Sequence, residues 1–275
     1  MTSLWASRAI TSAGPRRDVR VRIEGGLIAE VETGVAAAAD DDRFPEGTLA
    51  PGLVDLQVNG ALGAAYSDAD PAARRRATDY HLRSGTTSLL ATLISAPVPE
   101  LVERIGRLAR DVRSQPELAG IHLEGPFLCP EKAGAHDPAH FCDPAPERVD
   151  RLLEAAGPAL AMLTLAPERS GAPEAVERLA GRGVVVAAGH SLASYERMRE
   201  AAGRGLSFVT HLGNACEWPA RVYDPELGYR RGEPGVVGAF LIDRRLRGSL
   251  ILDGRHLPPE LARALIAARG RDALA

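Results

Sequence analysis

The chain has 275 residues, 45% of them hydrophobic and 25% charged, which fits one large soluble domain, with or without a small companion, and argues against a disordered or fibrous chain. The 33 Lys+Arg against 36 Asp+Glu leave a net charge of −3, so no basic face predicts a nucleic-acid partner. No apolar run approaches the roughly 18 residues of a membrane span, and the segment from Met1 to Pro15 lacks the apolar core of a secretory signal. Cys129, Cys142 and Cys216 form no CxxC pair and are odd in number, which predicts reduced thiols in a cytoplasmic protein without a membrane partner.

In chain order, Val19, Val21 and Ile23 alternate, Gly25-Gly26 supplies a turn, and Leu27, Ala29 and Val31 alternate again, so a hairpin is predicted. The segment from Ala36 to Pro45 has no pattern and reads as a loop. From Pro51 onward, short apolar runs alternate with segments of helical period, the signature of a parallel sheet with helices outside it. Strands are predicted at Gly52 to Val58, Thr86 to Ile94, Gly120 to Glu124, Ala159 to Leu165, Val184 to Ala188, Leu206 to His211 and Ser249 to Asp253. Helices are predicted at Ala72 to Arg83, Pro99 to Arg113, Pro146 to Ala156, Pro173 to Ala180, Leu192 to Gly203 and Pro258 to Ala268. The fold class is thus α/β: a (β/α)8 TIM-like barrel, incomplete at about seven strands. Residues 51–275 form it, and residues 1–50 form part of a small N-terminal β-sandwich.

In such barrels function collects at the carboxyl ends of the strands. Glu124, His190 and His211 each end an apolar run there. One carboxylate with two imidazoles is a common set for a catalytic zinc ion, with a further position left to water; iron, cobalt and manganese suit the same donors. His122, two residues before Glu124, shares its strand face and reads equally as a partner of the site or as a core histidine. The long loop after Glu124 carries His136, the candidate to polarise a substrate carbonyl, and His140, read as a surface residue. After His211, Asn214 and Ala215, with Arg230 or Arg231 and His256, form a possible phosphate cradle, although each arginine alone reads first as a solvated surface group. No G-x-S-x-G elbow, Walker loop or G-x-G-x-x-G helix start is present.

Six motifs then follow in order: Pro51-Gly-Leu-Val-Asp-Leu-Gln-Val-Asn-Gly60, His122-Leu-Glu-Gly-Pro126, Leu165-Ala-Pro-Glu168, Ala188-Gly-His-Ser191, Thr210-His-Leu-Gly-Asn-Ala215 and Asp253-Gly-Arg-His256. Together they resemble the N-acetylglucosamine-6-phosphate deacetylases of the amidohydrolase superfamily, over essentially the whole chain. The resemblance implies metal-dependent hydrolysis of the acetamide of N-acetylglucosamine 6-phosphate. It puts Glu124, His190 and His211 on the metal, His136 at the acetyl carbonyl, and Asn214, Ala215, His256 and Arg231 at the sugar phosphate. It also implies a homodimer, because the family sends an arginine to the phosphate from a neighbouring subunit.

Gln57 and Asn59 stand where the superfamily often has an H-x-H pair. Amides are poor zinc ligands, which favours a single ion. The arginine of the family's Arg-Glu-Pro-Gly motif is displaced by one residue in Arg231-Gly-Glu-Pro-Gly235, so another amidohydrolase reaction, a deamination or a different amino-sugar deacetylation, stays open. The family's general acid–base aspartate, in a Val-Thr/Ser-Asp-Ala motif on the eighth strand, would fall beyond Ala275. A truncated chain of impaired activity is therefore expected, since such a group contributes about 100- to 10,000-fold; a non-catalytic phosphosugar-binding remnant is the alternative.

Overall fold

The computed structural model describes residues 2–216, 218, 220–226 and 228–275, with main chain only for 220–224 and 229–231. The chain separates into two compact units, Met1–Leu53 and Val54–Ala275.

The first unit is one four-stranded sheet. Its strands are β1 (Thr2–Thr11), β2 (Gly14–Glu24), β3 (Leu27–Thr33) and β4 (Asp42–Leu49), in the order β3-β2-β1-β4. The pairs β1–β2 and β2–β3 are antiparallel, while β1 and β4 run parallel. The expected Gly25-Gly26 turn joins β2 to β3, both glycines taking the positive φ that a tight hairpin requires. Alternation works on one face only: Val19 and Val21 are buried against Ala9. The loop expected to run to Pro45 ends earlier. From Asp42 the chain pairs with Leu4 to Ala6, a long-range partnership that local composition does not encode.

The second unit holds seven parallel strands in a curled sheet, an incomplete TIM barrel. They are β5 (Leu53–Val58), β6 (Thr86–Ile94), β7 (Leu118–Glu124), β8 (Leu160–Leu165), β9 (Val185–Ala188), β10 (Leu206–Val209) and, beyond the antiparallel ribbon of β11 (Ala220–Asp224) and β12 (Tyr229–Glu233), β13 (Arg247–Gly248). The sheet order is β13-β10-β9-β8-β7-β6-β5. Seven helices are described: α1 (Pro71–Arg83), α2 (Val98–Ser114), α3 (Pro146–Ala156), α4 (Ala172–Ala180), α5 (Tyr195–Gly203), α6 (Gly235–Ile242) and α7 (Pro259–Arg269). Prolines open most of them, where a missing N–H goes unmissed. Asp70 caps α1 by accepting from the N–H groups of Ala72 and Ala73.

Three expectations change. The helix expected from Leu192 starts at Tyr195, because the Ser194 hydroxyl caps it by accepting from Arg197 N–H at 3.2 Å. Helix α6, unanticipated among the Arg, Gly and Pro of its approach, is apolar all round and buried over most of its length, so it shows no amphipathic stripe. The strand expected at Ser249 to Asp253 is displaced to Arg247–Gly248. Its neighbour β10 stops at Val209, the chain then turning through a left-handed His211 with φ 33°. Ser249 instead donates its N–H to Val209 O and accepts from Leu212 N–H. A ladder cannot outlast its partner.

Candidate metal centre

Glu124 is the last residue of β7, while His190 and His211 each stand two residues beyond β9 and β10. Both histidines adopt a positive φ, 49° and 33°, a costly conformation for a residue with a Cβ and one that concentrates at functional sites. The kink lifts each side chain off the sheet pleat and turns it across the strand ends. Glu124 Oε1 lies 3.2 Å from His190 Nε2 and 2.8 Å from His211 Nε2, and the two Nε2 atoms are 3.2 Å apart. All three side chains are buried.

The far side of each ring fixes which nitrogen faces the centre. His190 Nδ1 donates to Lys132 O at 2.7 Å, and His211 Nδ1 donates to Asn214 O at 3.0 Å. Carbonyl oxygens only accept, so in the neutral rings both Nε2 lone pairs point at Glu124. Such outer hydrogen bonds orient metal-binding imidazoles. Gly134, at φ +59°, lets the Lys132 loop lie on the His190 ring; a Cβ there would sit 3.2 Å from Cε1. Three ligand atoms of one carboxylate and two imidazoles, close enough to share one ion, constitute a fitting donor set for a divalent metal.

Electrostatics point the same way. Burial alone would raise the Glu124 carboxyl, but the surrounding imidazoles of His136, His190 and His211 hold it well below the usual range. Burial would lower His211, yet Cys216 and Glu124 drive it up to about 10. Both shifts mark an anionic pocket that favours a positive charge.

His136 joins this cluster from the long loop, its Nε2 3.3 Å from Glu124 Oε2 and its ring 4.6 Å from that of His190. Its Nδ1 meets Ser95, a residue without a flag in the sequence beyond its place one step past a strand end. His122 is not at the centre. It is fully buried, with Nδ1 on Leu56 O at 3.0 Å and Nε2 on Thr164 Oγ1 at 2.8 Å. Thr164 Oγ1 in turn meets Thr210 Oγ1 at 2.7 Å, so His122 is a satisfied core histidine that ties strands together below the centre. His140 is part-exposed beside Asp137.

Of the expected phosphate residues, Asn214 and His256 are brought together: Asn214 Nδ2 donates to His256 O at 3.2 Å. Asp253 shapes that turn, accepting from the N–H groups of Arg255 and His256 and from His256 Nδ1 at 2.8 Å. Ala215 stands at φ 48°, its carbonyl accepting from Ser191 N–H. Arg231 and Arg230 lie on β12, and their side chains fall outside the described residues.

Comparison with known proteins places this geometry. A profile of the N-terminal domain of formimidoylglutamate deiminase HutF matches residues 1–44. N-acetyl-D-glucosamine-6-phosphate deacetylase of Mycobacterium smegmatis superposes with a TM-score of 0.91 at 34% identity, over 100% of this chain and 70% of that one. The chain belongs to the N-acetylglucosamine-6-phosphate deacetylase family. Within that family, it is 32% identical to N-acetylgalactosamine-6-phosphate deacetylase of Escherichia coli O157:H7 and 34% identical to the human N-acetylglucosamine-6-phosphate deacetylase. It spans 65% and 62% of the length of those two relatives, and 93% and 90% of it is matched. A variant of the Mycobacterium smegmatis deacetylase, solved in complex with N-acetyl-D-glucosamine-6-phosphate, superposes with a TM-score of 0.90.

Proposed function

We propose that this deacetylase-family chain hydrolyses the acetamide of N-acetylglucosamine 6-phosphate with the help of one divalent ion. The observation that carries the reading is the convergence of Glu124, His190 and His211, all pairwise contacts within 3.2 Å. These three residues would hold the ion, which supplies a Lewis acid that activates water and polarises the carbonyl. The buried Glu124 carboxylate keeps the site anionic, and the Lys132 and Asn214 carbonyls keep both imidazoles aimed. His136 stands beside the cluster to meet the acetyl oxygen, where charge develops in the tetrahedral intermediate. Asn214, Ala215, His256 and Arg231 are assigned to the sugar phosphate, the first and third supported by their mutual contact.

Zinc is the ion that the donor set suits best. Three free thiols support a cytoplasmic setting, and no helix among the described residues is long and apolar enough to cross a membrane. A homodimer and a division into a small domain, 1–50, and a barrel domain, 51–275, complete the reading.

Acetate release from N-acetylglucosamine 6-phosphate, measured before and after chelation and zinc repletion, tests it. Expected are one ion bound per chain and acetate release that depends on that ion. Purified protein that takes up no divalent ion would overturn the proposal. Faster turnover of the galactosamine epimer would shift the substrate assignment, which the galactosamine-named relative makes the second reading.

A further inference from the structure

Ser95 lies one residue past β6 and is 5% exposed. Its main-chain N–H donates to His136 Nδ1 at 3.3 Å, and its Oγ stands 3.0 Å from the same nitrogen and 3.4 Å from Glu124 O. A backbone N–H has no acceptor capacity, so Nδ1 must present its lone pair. The neutral ring therefore carries its proton on Nε2, the atom that faces Glu124 Oε2 at 3.3 Å. The contact is built in from the other side too: Gly125, at φ +83°, has no Cβ, and one there would collide with Ser95 Oγ.

We infer that Ser95 is a positioning residue that holds His136 in the Nε2–H tautomer, so that His136 enters the reaction as a hydrogen-bond donor and not as a base. The inference rests on the deacetylase reading of the site and adds a direction to it. Its Nε2–H, which faces Glu124 Oε2 here, would donate to the oxygen on which negative charge grows, and no proton leaves the ring. The Ser95 N–H sets the tautomer. The hydroxyl, donating its one proton to Nδ1 at 3.0 Å, steadies the ring.

Ring 15N spectra of the zinc-loaded chain, with the His136 signals identified by their loss in His136→Gln, test the tautomer without any substrate. The expected pattern is a protonated Nε2 and an unprotonated Nδ1; the reverse pattern overturns the inference while leaving deacetylation intact. Kinetics test the role. Ser95→Ala should lower kcat about tenfold, the scale of one hydrogen bond, with KM and bound metal unchanged, and Ser95→Thr should recover most of the loss. His136→Ala should cost about 100- to 1,000-fold, with His136→Gln, which keeps an N–H donor, retaining more. A Gln variant as inactive as Ala would overturn the donor role of His136, and a Ser95→Ala enzyme with unchanged kcat would overturn the part given to the Ser95 hydroxyl.

Discussion

At the scale of single residues, direction matters more than identity. His136, His190 and His211 cluster at the strand ends and His122 lies in the core below them, and hydrogen-bond partners give the four imidazoles different work. His122 is the clearest separation. Burial pushes its imidazole below the ordinary value of 6.5, so the folded protein resists the proton that an unfolded chain would accept. Its contribution to stability is full above 6.5 and is lost as pH falls from there towards the lowered folded value. His122→Gln should therefore flatten the acid side of the stability profile, measured by urea titration across that range; an unchanged slope would exclude His122 as its source. Glu124→Gln removes the one anion of the proposed ligand set, and metal content after dialysis should fall from about one ion per chain to none. The strand-end positions of Glu124, His190 and His211 are legible in the sequence, because apolar runs that stop on a polar residue mark barrel strands. Ser95 is not legible: a serine after a strand is common, and its partner His136 is 41 residues away.

At the scale of elements, helix positions follow from proline and apolar spacing, and most ends lie within a few residues of expectation. The failures share a cause. Helix α6 and strand β13 take their form from neighbours: α6 is enclosed over most of its length, and β13 ends where the chain beyond β10 kinks. One interaction between elements is equally hidden. Arg74 of α1 meets Asp111 of α2 at 2.5 and 3.2 Å, with both side chains nearly buried, and also donates to Asp68 O and Ala69 O. Removing one member of a buried pair leaves an uncompensated charge and costs about 3–5 kcal/mol. Asp111→Ala should lower stability by that amount in denaturant titration, whereas Arg104, whose partner Glu100 is half-exposed on the same helix, should matter far less when changed to alanine.

At the scale of the whole molecule, the three proposed ligands come from distant segments, which would tie metal affinity to the fold. Glu124 is 66 residues from His190 and 87 from His211, so an unfolded chain offers no site. Binding then stabilises by mass action, about 2.7 kcal/mol when free ion stands at about 100 times Kd. For a domain of this size that predicts a fall in Tm of about 5 to 10 °C on chelation, read by scanning calorimetry and reversed by zinc. An unchanged Tm would mean that the three residues hold no ion in solution.

The primary structure by itself determined the donor types, their strand-end positions and the alternation of strands with helices, because these follow from local polarity and spacing. Only the tertiary structure decided which atoms face one another. The Lys132 carbonyl behind the His190 ring and the Ser95 amide on His136 are contacts between segments far apart in the chain, and the left-handed turns at His190 and His211 aim the rings towards them. Hydrogen-bond direction depends on such partners, and no local pattern of residues encodes it.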